Sequence, residues 1–152
     1  MLDQGILREY LEKKDIWYKI HKKESTVHTA DAAAKTGIPL ERITKSLVCL
    51  TDSKAIVAII PGNERLDTKK LARVIDAKKV RICPFKKVHE FSGYDPGATP
   101  PCCYENVERV IMDKKILEFE TTFGGGGTNQ SLLEIKPRDI VKLNKALVED
   151  IT

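Results

Sequence analysis

The chain has 152 residues, 41% of them hydrophobic and 32% charged, which suits one domain of roughly 100–200 residues and excludes disorder, collagen-like repeats and low-complexity sequence. Twenty-six basic against twenty-two acidic residues leave a net charge of +4, a surplus that helps a protein meet a polyanion and is also an ordinary solubility feature. The longest nearly apolar run, Ala55 to Pro61, is far short of the roughly 20 residues of a membrane span, and the first residues lack the layout of a signal peptide, so the expectation is a soluble cytoplasmic protein.

In chain order, Leu2, Ile6, Leu7, Tyr10 and Leu11 fall at helical spacing and predict a short amphipathic helix ending at Lys13-Lys14-Asp15. Ile16 to Ile20 reads as a strand. Thr29 is expected to cap a helix through Ala32 and Lys35 that Gly37 and Pro39 stop. Two β-branched runs, Thr44 to Thr51 and Ala55 to Ile60, read as a hairpin turned at Asp52-Ser53-Lys54. Asp67 then caps a helix carrying Leu71, Val74 and Ile75. A strand is expected over Lys79 to Cys83, and Pro84 opens a short helix that Gly93 ends. Tyr94 to Glu105, with three prolines and no apolar period, reads as an ordered loop. Strands follow at Glu108 to Asp113, Glu118 to Phe123 and Ser131 to Ile135, and a last helix from Pro137 aligns Ile140, Leu143, Leu147 and Ile151. The sum is one mixed α/β (α+β) domain over residues 1–152 with a mixed sheet flanked by helices.

Four cysteines, Cys49, Cys83, Cys102 and Cys103, contain no Cys-x-x-Cys, and His21, His28 and His89 are not at zinc-ligand spacing from them. Neither a metal, nor a cofactor, nor a disulfide framework is implied. Gly124-Gly125-Gly126-Gly127-Thr128-Asn129, between two strands, is either a hairpin tip or a backbone wall whose N–H groups face an anionic or carbonyl oxygen. It lacks the Lys-Ser/Thr pair of a P-loop. Tyr94 to Cys103 is a proline-stiffened loop suited to a ligand and equally to a surface connection. Neither cysteine of its vicinal pair lies beside a local histidine, which speaks against a nucleophile. By alternation Lys45 shares a strand face with Leu47 and Cys49, where it either snorkels at a sheet margin or holds a ligand.

Thr44-Lys45-Ser46-Leu47-Val48, Pro61 to Leu71, Gly93-Tyr94 with Gly97 and Pro101, the glycine run and Arg138 to Leu143 occur in an order and spacing that resemble the YbaK/ProX-type aminoacyl-tRNA editing domain. The resemblance covers nearly all of the chain from Thr26. It implies a single α/β domain with a central, curved mixed sheet, similar to the editing insert of bacterial prolyl-tRNA synthetase. It also implies hydrolysis of the ester of a wrongly charged tRNA, with a small amino acid such as alanine or cysteine on tRNA-Pro as the expected substrate. The partners implied are the aminoacyl-tRNA 3′ end and a prolyl-tRNA synthetase, with no membrane. On this resemblance the signature lysine that holds the substrate's 3′-terminal region is Lys45. Gly97, Cys103 and Gly125 take catalytic positions beside it, and Ser46, Thr99, Pro101, Gly126, Gly127 and Thr128 are substrate-binding.

Two departures stand out. Where many relatives read Gly-Gly-Val-Ser-Pro-Leu-Gly, this chain reads Gly97-Ala98-Thr99-Pro100-Pro101-Cys102-Cys103, so a Cβ at Cys103 is expected to crowd the pocket. Gly125 stands where many relatives carry serine. The implied chemistry needs no triad, because a neighbouring ribose hydroxyl assists the attack of water and backbone N–H groups stabilise the oxyanion. The competing expectation is a module of the same fold that binds a tRNA 3′ end or nucleotide without hydrolysis.

Overall fold

In the computed structural model, which describes residues 1–52 and 54–152, helix α1 runs Gln4–Lys13 and buries Leu7 and Leu11. Its cap, Asp3, accepts the Ile6 N–H at 2.8 Å. Asp15 turns the chain with a φ of 54°, so Ile16 drops into the core and strand β1, Tyr18–Lys22, begins two residues later than expected. Helix α2 is Thr29–Thr36; His28, whose side chain makes no capping hydrogen bond, occupies the cap position expected for Thr29. Gly37 ends that helix in the left-handed region, its N–H on the Ala33 carbonyl.

Strands β2, Thr44–Leu50, and β3, Ala55–Pro61, pair antiparallel along their whole length. Ser53 of the turn expected between them lies outside the described residues. Asp67 caps helix α3, Thr68–Val74, by accepting the Lys69 and Lys70 N–H groups. The next strand, β4, is only Arg81–Ile82. Pro84 precedes a 3₁₀ turn over Phe85–Lys87, and α4, Val88–Ser92, follows until Gly93 ends it in the left-handed region. Tyr94 to Glu105 forms neither helix nor strand, as its composition predicts.

Beyond strand β5, Arg109–Asp113, the Asp113 carboxylate caps a 3₁₀ turn over Lys114–Glu118, which displaces the expected strand. Strand β6 is Thr122–Gly125, so two of the four glycines are strand residues, and β7 is Ser131–Ile135. Helix α5 spans Pro137–Asn144. Lys145 then takes a φ of 49° and the chain leaves the helix, so Leu147 belongs to strand β8, Leu147–Glu149, rather than to a continued helical face.

The strands form a five-stranded mixed sheet, β4-β2-β3-β5-β8, and a three-stranded antiparallel sheet, β1-β7-β6. Every residue of β3 is buried, which its central place and unbroken apolar sequence require. One core lies between the sheets, where Val48, Val57, Ile59 and Met112 meet Leu133 and Ile135 under Leu7 and Ile140. The opposite face of the mixed sheet packs Cys49, Ile56, Ala58 and Ile60 on Leu71 and Ala72 of α3. The sheets join at a bridge between Ile43 and Phe123, reinforced by Thr122 Oγ1 donating to the Arg42 carbonyl at 2.8 Å and Thr44 Oγ1 to the Phe123 carbonyl at 3.2 Å. That junction brings the start of β2 against the glycine run.

Candidate functional site

A cleft of about 550 Å³ opens along β2, between the segment Lys23–Ala32, the Ile82–Val88 stretch, the Pro96–Thr99 loop and Gly125. It forms because β4 covers only one end of β2, opposite Cys49 and Leu50. Cys83 N–H donates to the Val48 carbonyl at 2.9 Å, away from β3. Backbone groups two residues apart on a strand face the same side, so the N–H and C=O of Ser46 face the cleft from the uncovered edge. The same alternation sets Thr44 opposite Pro61 in a pair that exchanges no ladder bonds, which suits a residue without an N–H.

Lys45, Ser46, Gly97, Thr99 and Gly125 are brought together on the cleft wall. The Lys45 side chain reaches the turn after β3, where Nζ donates to the Glu64 carbonyl at 2.6 Å. Burial, and then the charge of Arg65, hold its pKa below the usual lysine range, while Glu64 works the other way. The Ser46 hydroxyl is buried with no hydrogen-bond partner among the described residues. Gly97 has a φ of +86°, and a Cβ there would meet the Val27 Cα at 2.7 Å. Gly125 lies against the Thr99 carbonyl; a Cβ would meet the Thr99 carbonyl carbon at 2.7 Å and that of Ala98 at 2.8 Å. The two loops are therefore in backbone contact at Gly125, and the Gly127 N–H donating to the Ala98 carbonyl at 3.0 Å fastens them.

The other expected residues lie off this wall. The Gly126 carbonyl accepts from Gln4 Nε2 at 2.8 Å, Thr128 Oγ1 pairs with Ser131 Oγ at 2.9 Å, and the Pro101 carbonyl accepts from Asn144 Nδ2 at 2.9 Å. With the Gly127 N–H committed to Ala98, the glycine run serves close approach between loops rather than as a continuous wall of free donors. Cys103 has a φ of 66°, the conformation expected of a glycine position, yet it borders a smaller hollow with Tyr10, Tyr104 and Asn144. Its Cβ thus does not crowd the cleft. Burial pushes its thiol pKa up, as it does for Cys83 and Cys102, so these thiols stay protonated at neutral pH.

Sequence pattern alone did not single out Lys23, Thr26 or His28 for the cleft. Lys23 Nζ donates to Thr26 Oγ1 and, at 2.6 Å, to the Asn129 carbonyl, and burial lowers its pKa. His28 stands at the mouth with its ring centroid 6.5 Å from that of Phe85. The cleft lining thus holds two lysines and a histidine and, among the described residues, no carboxylate, an environment that favours an anion. No group of three histidine, cysteine, aspartate or glutamate side chains able to hold a metal occurs among the described residues.

A model of the aminoacyl-tRNA editing domain family matches residues 23–143. The chain belongs to that family. Every cleft-lining residue, from Lys23 to Leu132, falls within the matched span, whereas α1 lies outside it. An Enterococcus faecalis protein, assigned by name as a Cys-tRNA(Pro)/Cys-tRNA(Cys) deacylase, is 28% identical over 94% of this chain and 85% of its own length. A proline–tRNA ligase from Lactobacillus helveticus is 24% identical over 59% of this chain, a stretch that makes up 16% of the ligase. A solved structure described as a trans-editing enzyme for prolyl tRNA synthetase is 25% identical with a TM-score of 0.85, covering 98% of this chain and 96% of that one. The editing domain here therefore shares the mixed α/β fold of its structural relatives.

Proposed function

We propose that this chain is a trans-editing deacylase that hydrolyses the ester of a mischarged tRNA, with alanine or cysteine on tRNA-Pro as the favoured cargo. The observation that carries this is the acid-free cleft along β2, whose lining includes two partly buried lysines, Lys45 and Lys23. Ammonium groups hold phosphate or ribose oxygens, and Lys45 has donors to offer beyond the one it gives Glu64. The Ser46 N–H is the candidate donor to an oxygen that gains charge when water adds to the ester carbonyl; one such donor is worth on the order of 10²–10³ in rate in other enzymes.

The reaction forms a bond from the water oxygen to the carbonyl carbon and breaks the bond from that carbon to the ribose oxygen, which leaves with a proton relayed by the neighbouring ribose hydroxyl. No protein nucleophile is required. Cys83, the cleft's thiol, donates to the Pro84 carbonyl at 3.5 Å and has its pKa raised by burial, consistent with water as the attacking group. The editing relatives named above support the reaction class.

Single-turnover deacylation of tRNAs charged with alanine, cysteine, serine and proline tests the proposal. Release of alanine or cysteine well above the buffer rate, with proline retained, is the expected result. Binding without release from any of the four would identify a tRNA-binding module instead.

A further inference from the structure

Between Asp76 and Glu90 the chain reads Ala-Lys-Lys-Val-Arg-Ile-Cys-Pro-Phe-Lys-Lys-Val-His, with five lysines and arginines and no acid. Lys78, Lys79, Arg81, Lys86 and Lys87 are all exposed, and none joins an ion pair among the described residues. The segment is fixed beside the cleft through β4 and the Cys83–Val48 hydrogen bond. Its apolar residues Phe85 and Ile82 are 59% and 51% exposed, Val27 across the mouth is 40% exposed, and all three line the cleft. The rings of Phe85 and His28 are inclined at 35°.

Cations flanking an open aromatic face are the elements with which proteins hold single-stranded nucleic acid: the charges track the backbone and the ring stacks on a base. The geometry points to residues 78–87 as the surface that receives the unpaired 3′ strand of the tRNA and leads it into the cleft. Phe85 takes an unpaired base, with Ile82 and Val27 beside it, and Arg81, Lys86 and Lys87 meet the phosphates on either side. This rests on the deacylase proposal and names the surface, from the cleft's rim outward, that holds the nucleotides leading up to the ester. An acidic protein would use the charges and have no use for the ring.

The test is binding of a fluorescent, uncharged acceptor-stem hairpin with an unpaired 3′ end, followed by anisotropy over a salt series. The triple variant Arg81→Gln/Lys86→Gln/Lys87→Gln is compared with an equal charge removal at the end of α1 and on α5, Lys13→Gln/Lys14→Gln/Lys142→Gln, after thermal melts show both folded. The first should bind more weakly, with a slope of log K against log salt shallower by about 2, since each single-strand phosphate contact contributes about 0.7; the second should match the parent. Phe85→Ala should weaken binding about ten-fold, Phe85→Trp should restore it, and neither should matter when the unpaired nucleotides are abasic. Equal losses in the two triple variants, or a Phe85→Ala effect that survives on the abasic strand, would overturn the assignment. The hairpin carries no ester, so failure of the deacylase proposal registers separately, as intact aminoacyl-tRNA in the turnover assay.

Discussion

Lys45 and Gly125 both line the cleft and yield opposite kinds of prediction. Lys45 is partly buried and, among the described residues, its one side-chain hydrogen bond goes to the Glu64 carbonyl, so Lys45→Ala should change stability by no more than about 0.5 kcal/mol. It should lower kcat/KM about 10–100-fold, the worth of one hydrogen bond to a charged group; parent-level turnover in a folded variant would remove the residue from the site. Gly125 is a matter of space. Its Cβ position is filled by the backbone of Ala98 and Thr99, so Gly125→Ser should destabilise this chain by about 1–3 kcal/mol through overpacking and slow deacylation by displacing the loop. Urea midpoints equal to the parent's would show that the loop yields freely. At Cys103, relief of a left-handed backbone is worth roughly 1–2 kcal/mol, opposed by the looser unfolded chain, roughly 0.4–1 kcal/mol. Because its side chain borders the hollow with Tyr10 rather than the cleft, Cys103→Gly should leave the order of amino-acid preference unchanged, which side-by-side turnover of alanyl- and a bulkier aminoacyl-tRNA checks.

At the level of elements, the fully buried Asp113 ends β5 and holds the last residues against it, accepting from the Ile151 N–H at 3.0 Å, Thr152 Oγ1 at 3.2 Å and the Lys115 N–H at 2.9 Å. Asp113→Ala leaves the buried Ile151 N–H without its acceptor, a loss of about 1–3 kcal/mol, expected as a lower urea midpoint with an unchanged slope. That clasp was not legible in the sequence, where residues 147–151 continue the apolar spacing of α5. Apolar period alone does not show that Lys145 adopts a left-handed φ and sends Leu147 into a sheet. The elements that were legible are those whose local chemistry agrees with their packing: α1 from its apolar stripe, α3 from the Asp67 cap, and β3 from an unbroken apolar run. The site divides in the same way. Family-like order in the sequence pointed to Lys45, Ser46, Gly97, Thr99 and Gly125, which share the wall, whereas Lys23 and His28 reach it through the pairing of β1 with β7 and the backbone hydrogen bonds of Lys23 and Thr26 to Gln130 and Asn129, long-range events without a local signature.

For the molecule as a whole, the absence of acid from the cleft predicts how substrate binding responds to pH. Lys45 and Lys23 both have pKa values lowered by burial, with Arg65 adding to the effect at Lys45. Each lysine attracts phosphate only while protonated, so binding is complete below its lowered pKa and is lost as pH rises through it. The KM for aminoacyl-tRNA should therefore climb at a pH below the ordinary lysine value of about 10.4, whereas kcat, which depends on water attack rather than on ammonium charge, should not fall with it. The ester also hydrolyses spontaneously in alkali, and that rate is subtracted at every pH. In Lys45→Arg the guanidinium stays charged throughout, so the rise in KM should be smaller, with Lys23 the remaining titrating lysine of the cleft lining. Salt separates the two causes of the shift, because the repulsion from Arg65 is screened over a Debye length of about 10 Å at 0.1 M while burial is not. Burial is the larger cause at Lys45, so added salt should weaken binding at every pH yet move the midpoint of the KM rise only slightly. Superimposable profiles for the parent and Lys45→Arg would show that the ammonium of Lys45 takes no part in holding the substrate.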